Sequence, residues 1–213
     1  MVVIQYGTSP EDIARVLLQA KAVMLNPKEP YTFASGIKSP IYCDNRKLLS
    51  HPRERGIISN AYAFAASHCT FDVVGGVATA GIAWASLLAR FYDKPMIYIR
   101  EKPKDHGRKN RIEGELQEGQ LVLIVEDLVS TGMSSVSAVR AVREAGGRVT
   151  DCVAIFTYEM ASAQQAFQDA QCSLHPLCSF STLVREAAQS GYISEKEMAT
   201  VMAWNKSPET WQP

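Results

Sequence analysis

The residues with the most chemical potential lie between Leu121 and Ser134. Five apolar residues, Leu121 to Val125, run directly into two adjacent carboxylates, Glu126 and Asp127. Leu128, Val129, Ser130, Thr131, Gly132, Met133 and Ser134 follow, and a helical pattern begins at Gly132. An unbroken apolar run suits a strand covered on both faces. The unpaired N–H groups at a helix N-terminus carry partial positive charge and can seat a phosphate. Ser130, Thr131 and Ser134 add hydroxyl donors, and Gly132 lets main chain approach a ligand closely. The spacing is not that of the G-x-x-x-x-G-K-[ST] phosphate loop. Two carboxylates would repel a phosphate unless they face something else, and vicinal sugar hydroxyls or a Mg2+ ion meet that need. By itself the segment suits a sugar bearing both a phosphate and free hydroxyls. The competing reading, an acidic strand end with a capping loop, is weakened by the apolar run before the acids and the Ser-Thr-Gly-x-Ser after them.

A second cluster lies between Tyr98 and Gly114. Six basic residues, a histidine and two glycines occur there with no apolar periodicity between Ile99 and Ile112. Alone, that composition describes a solvated, mobile hairpin. A third stretch, Gly75-Gly76-Val77-Ala78-Thr79-Ala80-Gly81-Ile82, reads as a glycine-bearing turn between a strand and a helix. Main chain reaches an anion only where side chains do not intervene, so small residues suit that task. The five cysteines are odd in number and scattered, which fits reduced thiols. Cys172-x2-His175-x2-Cys178 has metal-ligand residue types, but it lacks a fourth partner and lies in a strand-like stretch, so no zinc site is expected from it.

These groups need elements to position them. Ser9-Pro10-Glu11 opens a helix with Ile13, Val16, Leu17 and Ala20 on one face, ended by Asn26-Pro27. Residues 26–50 are turn-rich, and a small-residue helix over about 52–67 follows. Strands are expected at 71–77, 95–99, 121–125, 149–158 and, more weakly, 174–178. Helices are expected at 82–91, 132–145, 180–189 and 194–204, the last opened by a Ser194-x-x-Glu197 capping box. This alternation predicts an α/β fold with an open, mainly parallel twisted sheet flanked by helices. Ligands of such sheets sit beyond the carboxyl ends of the strands, here after Val77, Ile99 and Val125. With 213 residues and no repeat or linker, the chain reads as a single domain over 1–213. Its 22 basic and 22 acidic side chains cancel, so neither nucleic acid nor membrane is expected as a partner. No apolar run nears the roughly 20 residues that span a bilayer. Met1 to Gly7 lacks a signal-peptide pattern, and a cytoplasmic location is expected.

The 121–134 segment resembles the signature of type I phosphoribosyltransferases that binds phosphoribosyl pyrophosphate (PRPP). The run Arg100, Lys104, Asp105, His106, Gly107 is similar to a flexible loop of the orotate phosphoribosyltransferases. Thr32 to Arg46, with its Ser35-Gly36-x-Lys38-Ser39-Pro40-x-Tyr42 core, resembles that family's N-terminal hood, which covers the base. The tail, Gly191 to Glu197 and Pro208 to Trp211, resembles one branch of the family, so the likeness runs over nearly the whole chain.

The resemblance implies a type I phosphoribosyltransferase fold, with a small hood formed mainly by about 1–50 and a core over about 51–213. Glu126 and Asp127 would address the ribose hydroxyls. Leu128, Val129, Ser130, Thr131, Gly132, Met133 and Ser134 would wrap the 5′-phosphate, with Ser130 also meeting orotate. Arg100, Lys104 and His106 would bind PRPP at its pyrophosphate. Catalytic roles fall to Lys104, His106 and Asp127. Mg2+ is the implied cofactor, held mainly through PRPP, and a homodimer is implied in which the loop over about 100–114 completes the neighbouring site. Family lysines are replaced here by Glu101 and Ala34, and a Tyr-Lys pair by Thr79-Ala80, so no role is carried onto those positions.

The implied activity moves the 5-phosphoribosyl group from PRPP to orotate, giving orotidine 5′-monophosphate and pyrophosphate in UMP biosynthesis. Cations closing over the leaving pyrophosphate stabilise the transition state more than the ground state and exclude water. Two other readings stay open at this point: transfer to another base, and a non-catalytic nucleotide-sensing regulator on the same scaffold.

Overall fold

The computed structural model of the chain describes residues 9–33, 36–102 and 111–212. Ser9 caps α1 (Pro10–Gln19), its hydroxyl oxygen accepting from the Asp12 N–H at 3.1 Å, and Ile13, Val16 and Leu17 turn into the core. The helix stops well before Asn26-Pro27. Lys21 takes φ 52°, and Val23–Leu25 departs as β1. The stretch that reads as turn-rich contains paired pieces. β2 (Tyr31–Thr32) pairs antiparallel with β3 (Lys38–Ser39), and β1 pairs with β4 (Ile41–Cys43). A 3-10 turn (Asn45–Ser50) leads into α2 (Pro52–Ala66).

Strands and helices then alternate: β5 (Val73–Val77), α3 (Gly81–Tyr92), β6 (Met96–Ile99), β7 (Ile112–Glu113), β8 (Val122–Val129), α4 (Met133–Glu144), β9 (Asp151–Thr157), α5 (Ala161–Asp169), β10 (Ser173–Ser179), α6 (Phe180–Gln189) and α7 (Glu195–Lys206). The sheet order is β10-β9-β8-β5-β6-β7, parallel except for the antiparallel edge strand β7. This is the α/β architecture that the alternation predicts. One apolar layer lies between the sheet and α1, α2, α3, α6 and α7, and holds Tyr62, Trp84, Phe156 and Trp204. The other lies under α4 and α5, with Val136, Val139, Val142 and Phe167.

Strand order reverses between β5 and β8. The chain steps from β5 to β6 on one side, then returns to build β8, β9 and β10 on the other. Helices leave on opposite faces at that point, which opens a crevice beyond the strand ends.

Three further features depart from the sequence expectation. Helix α5 was not anticipated, because Ala163 and Phe167 are its only buried residues and two positions make a faint periodicity. Strand β8 runs on to Val129 instead of ending at Val125. β5 stops pairing at Gly76↔Val125, but β9 continues through Leu128↔Phe156 and Val129↔Thr157. Glu126 and Asp127 therefore lie within a strand, on an edge that β5 has released. Lastly, Gly75 and Gly76 sit inside β5, and the turn itself is Ala78 to Ala80, with a cis Ala78–Thr79 peptide. A Cβ on Gly75 would meet Val122 Cγ1 at 2.7 Å, and one on Gly76 would meet Ala85 Cβ at 2.9 Å. These glycines serve packing.

Gly81 is tighter still, since its Cβ would meet the Val125 carbonyl oxygen at 2.4 Å. Gly81→Ala should therefore destabilise the chain by about 1–3 kcal/mol, because backbone must shift. Gly56→Ala, in α2 with nothing within 4 Å, should stabilise it by about 0.4–1 kcal/mol. Urea unfolding of the two variants checks the contrast, and effects of the same sign would refute it.

Candidate active site

Two strand ends and two helix starts face one another across the crevice. β5 delivers Ala78 to Ala80 and then α3, while β8 delivers Glu126 to Gly132 and then α4. Gly132 makes the turn from strand to helix at φ 78°, and a Cβ there would meet Ala163 Cα and the Phe167 ring at 3.3 Å. The left-handed conformation favours glycine, and the space beside it is tight. Among the described residues, α2, α3, α4 and α5 start without a side-chain cap, whereas Ser9, Ser179 and Ser194 cap α1, α6 and α7. α4 also has no acid in its first turn. Its leading amides suit an anion, and the exposed hydroxyls of Ser130, Thr131 and Ser134 stand around them.

The two acids differ in environment. Glu126 is only 5% exposed. Its Oε1 accepts from the Asp127 N–H at 3.1 Å, and its Oε2 from the hydroxyls of Ser135 and Ser134 at 3.2 and 3.3 Å. Burial, and then the Asp127 charge beside it, pushes the Glu126 pKa up to about 8. Burial also raises Asp127, but a hydrogen bond from Glu126 and the Arg46 guanidinium oppose that shift. At neutral pH the pair thus keeps a proton, held on Glu126. Fewer than two negative charges face any phosphate seated next door.

Two successive main-chain carbonyls where β8 outruns β5 take their donors from side chains. Tyr62 Oη donates to the Glu126 carbonyl at 2.5 Å, and Asn45 Nδ2 donates to the Asp127 carbonyl at 2.7 Å. Both side chains are buried and come from segments far away in sequence. Nothing in their local sequence marks them.

The structure brings Glu126, Asp127, Ser130, Thr131, Gly132, Met133 and Ser134 together. Leu128 is half-buried and Val129 buried, so what they can offer a ligand is chiefly main chain. Arg100 stands apart, at the end of β6. Its Nη1 lies 3.6 Å from Glu113 Oε1, and its N–H donates to the Arg111 carbonyl at 2.8 Å. Arg111 in turn donates to the Arg100 carbonyl at 2.8 Å and to Ser137 Oγ at 2.9 Å, which ties this hairpin base to α4. Lys104 and His106 lie outside the described residues.

Beside Ser130 and Thr131 is a cavity of about 810 Å³, a size that suits a small molecule. Phe33 and Ile37 wall one side, Met160 another, and Trp204 to Thr210 a third. Trp204 Nε1 donates to the Lys38 carbonyl at 3.0 Å, and its ring meets Phe33 edge-on at 6.5 Å. The C-terminal helix thus forms part of the site, although its faint amphipathicity hides that in the sequence.

Comparison with known proteins agrees with this geometry. Residues 46–173 match the model of the phosphoribosyl transferase domain. The chain is 52% identical over 204 residues to an orotate phosphoribosyltransferase of Coxiella burnetii, covering 95% of this chain and 98% of that one. Among solved structures, it resembles the UMP synthase of Leishmania donovani with a TM-score of 0.77 and 28% identity, over 92% of this chain and 42% of that longer one. An orotate phosphoribosyltransferase of Aeropyrum pernix shares the fold, with a TM-score of 0.74 at 24% identity, over 85% and 99% of the two chains.

The proton on Glu126 has a consequence for stability. Its folded pKa of about 8 stands above its ordinary 4.5, so the folded chain binds the extra proton between those values and loses stability as pH rises through them. Glu126→Gln cannot titrate, so its loss of unfolding free energy between pH 5 and pH 8.5 should be smaller than the wild type's by about 1–3 kcal/mol. Urea titrations at the two pH values measure this, and an identical decline in both proteins would place the proton elsewhere.

Proposed function

This chain belongs to the orotate phosphoribosyltransferases, within the family whose domain it matches over residues 46–173, and we propose that it holds PRPP in the crevice between β5 and β8. Its reaction transfers the 5-phosphoribosyl group from PRPP to orotate, giving orotidine 5′-monophosphate and pyrophosphate in pyrimidine biosynthesis. The observation that carries the site assignment is the uncapped start of α4 directly beyond an acid pair, Glu126 buried and Asp127 half-buried. Asp127 accepts from the vicinal ribose hydroxyls, and the neutral Glu126 steadies it. The main chain of Leu128 to Met133 and the hydroxyls of Ser130, Thr131 and Ser134 wrap the 5′-phosphate. Ser130, at the border of the large cavity, also meets orotate. We read residues 1–213 as one domain, with a hood formed mainly by about 1–50 over a core of about 51–213.

Orotate N1 attacks the ribose C1 as the bond from C1 to the pyrophosphate oxygen breaks. Both electrons of that bond leave with pyrophosphate, and N1 gives up its proton. The protein need supply no nucleophile; it must hold the reactants in line and stabilise charge. Arg100, Lys104 and His106 meet the charge growing on pyrophosphate, and His106 gives it a hydrogen bond or a proton. Arg100 exchanges Glu113 for the ligand as it does so.

The donor set fits Mg2+ only as a passenger. Burial disfavours the charged form of both Glu126 and Asp127, which suits an ion carried on PRPP's own oxygens better than an all-protein cage. When bound, the ion neutralises charge on the diphosphate.

A homodimer in which the 100–114 loop completes the neighbouring site is supported by two features. The hairpin springs from the outer edge of the sheet, and Phe64, Leu87 and Phe91 are exposed on α2 and α3. A cytoplasmic setting accords with five free cysteines, and no helix among the described residues is long and apolar enough to cross a membrane. No nucleic acid or membrane partner is proposed.

Loss of orotate's ultraviolet absorbance, dependent on PRPP and Mg2+, tests the reaction. Hypoxanthine, xanthine, adenine and uracil should not replace orotate, and equal turnover of any of them would overturn the assignment. Lys104→Ala should lower kcat by about 10²–10³-fold, the effect of losing one charge-stabilising donor. Asp127→Asn should also be nearly inactive. Mixing these two variants should restore activity, because one hybrid site regains both intact groups. Absence of rescue despite confirmed subunit exchange would sink the shared-loop arrangement.

A further inference from the structure

On the far side of the sheet from the crevice, at the amino ends of the strands, three ligating side chains from separate parts of the chain meet. Cys69 follows the end of α2, Asp151 opens β9, and His175 is in β10. One ligand atom from each lies within 4.8 Å of the other two. Ser173 stands opposite Asp151 in the parallel pair, so His175, two residues on, shares the face of Asp151. Its Nε2 lies 2.7 Å from Asp151 Oδ1. Thr150 Oγ1 donates to the other carboxylate oxygen, Oδ2, at 2.7 Å, which orients Oδ1 toward the cluster. The Cys172-x2-His175-x2-Cys178 spacing is not the source of this arrangement. Three residues along an extended strand reverse the face, and Cys172 packs in the layer under α4 and α5.

We propose that Cys69, Asp151 and His175 form a site for a thiophilic divalent cation, Zn2+, with water in the fourth position of a tetrahedron. Sulfur, imidazole nitrogen and carboxylate oxygen together are a zinc donor set, while Mg2+ and Ca2+ take oxygen. Zinc bonds of about 2.0–2.3 Å set tetrahedral ligand atoms roughly 3.3–3.8 Å apart. The ion therefore needs the histidine–aspartate hydrogen bond to open slightly and the cysteine to close in. The side chains of His175 and Asp151 are 39% and 21% exposed, which leaves an entry path and room for the water. A thiolate and a carboxylate together neutralise the dication. Burial pushes the Cys69 thiol up to about 11, so binding releases its proton. The site clips the tail of α2 to the starts of β9 and β10. It is structural, and remote from the reaction.

Co2+ reports on such a site through its thiolate charge-transfer band, and the test uses the full chain without PRPP. The wild type should show the band, lose it on addition of Zn2+, and gain thermal stability with Zn2+. Cys69→Ser should abolish the band. His175→Ala and Asp151→Asn should each weaken Zn2+ binding by at least about tenfold. Cys172→Ala should behave as wild type. A wild type with no band, or a band that survives in Cys69→Ser, overturns the proposal and leaves His175 and Asp151 as an ion pair only. Should Cys69→Ser fail to fold, the His175→Ala and Asp151→Asn affinities decide, and unchanged values overturn it equally.

Discussion

The structure turns on a difference in length between two neighbouring strands. β8 outruns β5, so Glu126 and Asp127 continue a strand with one edge paired to β9 and the other released. A buried carbonyl that leaves the ladder is costly unless it finds another donor. Tyr62 donates to the Glu126 carbonyl and Asn45 to the Asp127 carbonyl, which ties α2 and the turn before it to this stretch of β8. The same step in length sets the acids beside the start of α4, one turn of chain from the hydroxyls of Ser130 and Thr131. The placement of this junction is therefore set by the sheet.

The acid pair resolves a conflict that its composition poses. Two ionised carboxylates next to an anion seat would work against each other. Burial settles it by keeping a proton on Glu126, so that a pair written as two negative charges carries fewer. Glu126 is then held from within, bonded to Ser134, Ser135 and the Asp127 amide.

Legibility followed locality. The apolar runs, the Ser9 and Ser194 caps and the Gly132 turn are short-range patterns, and they yielded the sheet, most of its helices and the 126–134 junction directly from the residues. The end of β8 was misjudged because it depends on how far β9 extends, which no residue near Glu126 reports. α5 went unseen because two buried side chains hold it. Tyr62 and Asn45 are ordinary until the fold delivers them to β8. Trp204 reaches the cavity only because it bonds a carbonyl at position 38. His175 shows the same limit from the other side. Its sequence neighbours Cys172 and Cys178 are not its partners, as their spacing implies, and nothing near it in sequence points to Asp151, which the pairing of β9 with β10 supplies.

Gly132 carries two demands of different kinds, a left-handed main chain at φ 78° and a Cβ position only 3.3 Å from both Ala163 Cα and the Phe167 ring. An asparagine tolerates the torsion better than most side chains but needs α5 to give by a few tenths of an ångström, while shrinking Phe167 relieves neither the torsion nor the Ala163 backbone. The turn into α4 and the seating of α5 are therefore coupled through one missing methyl group.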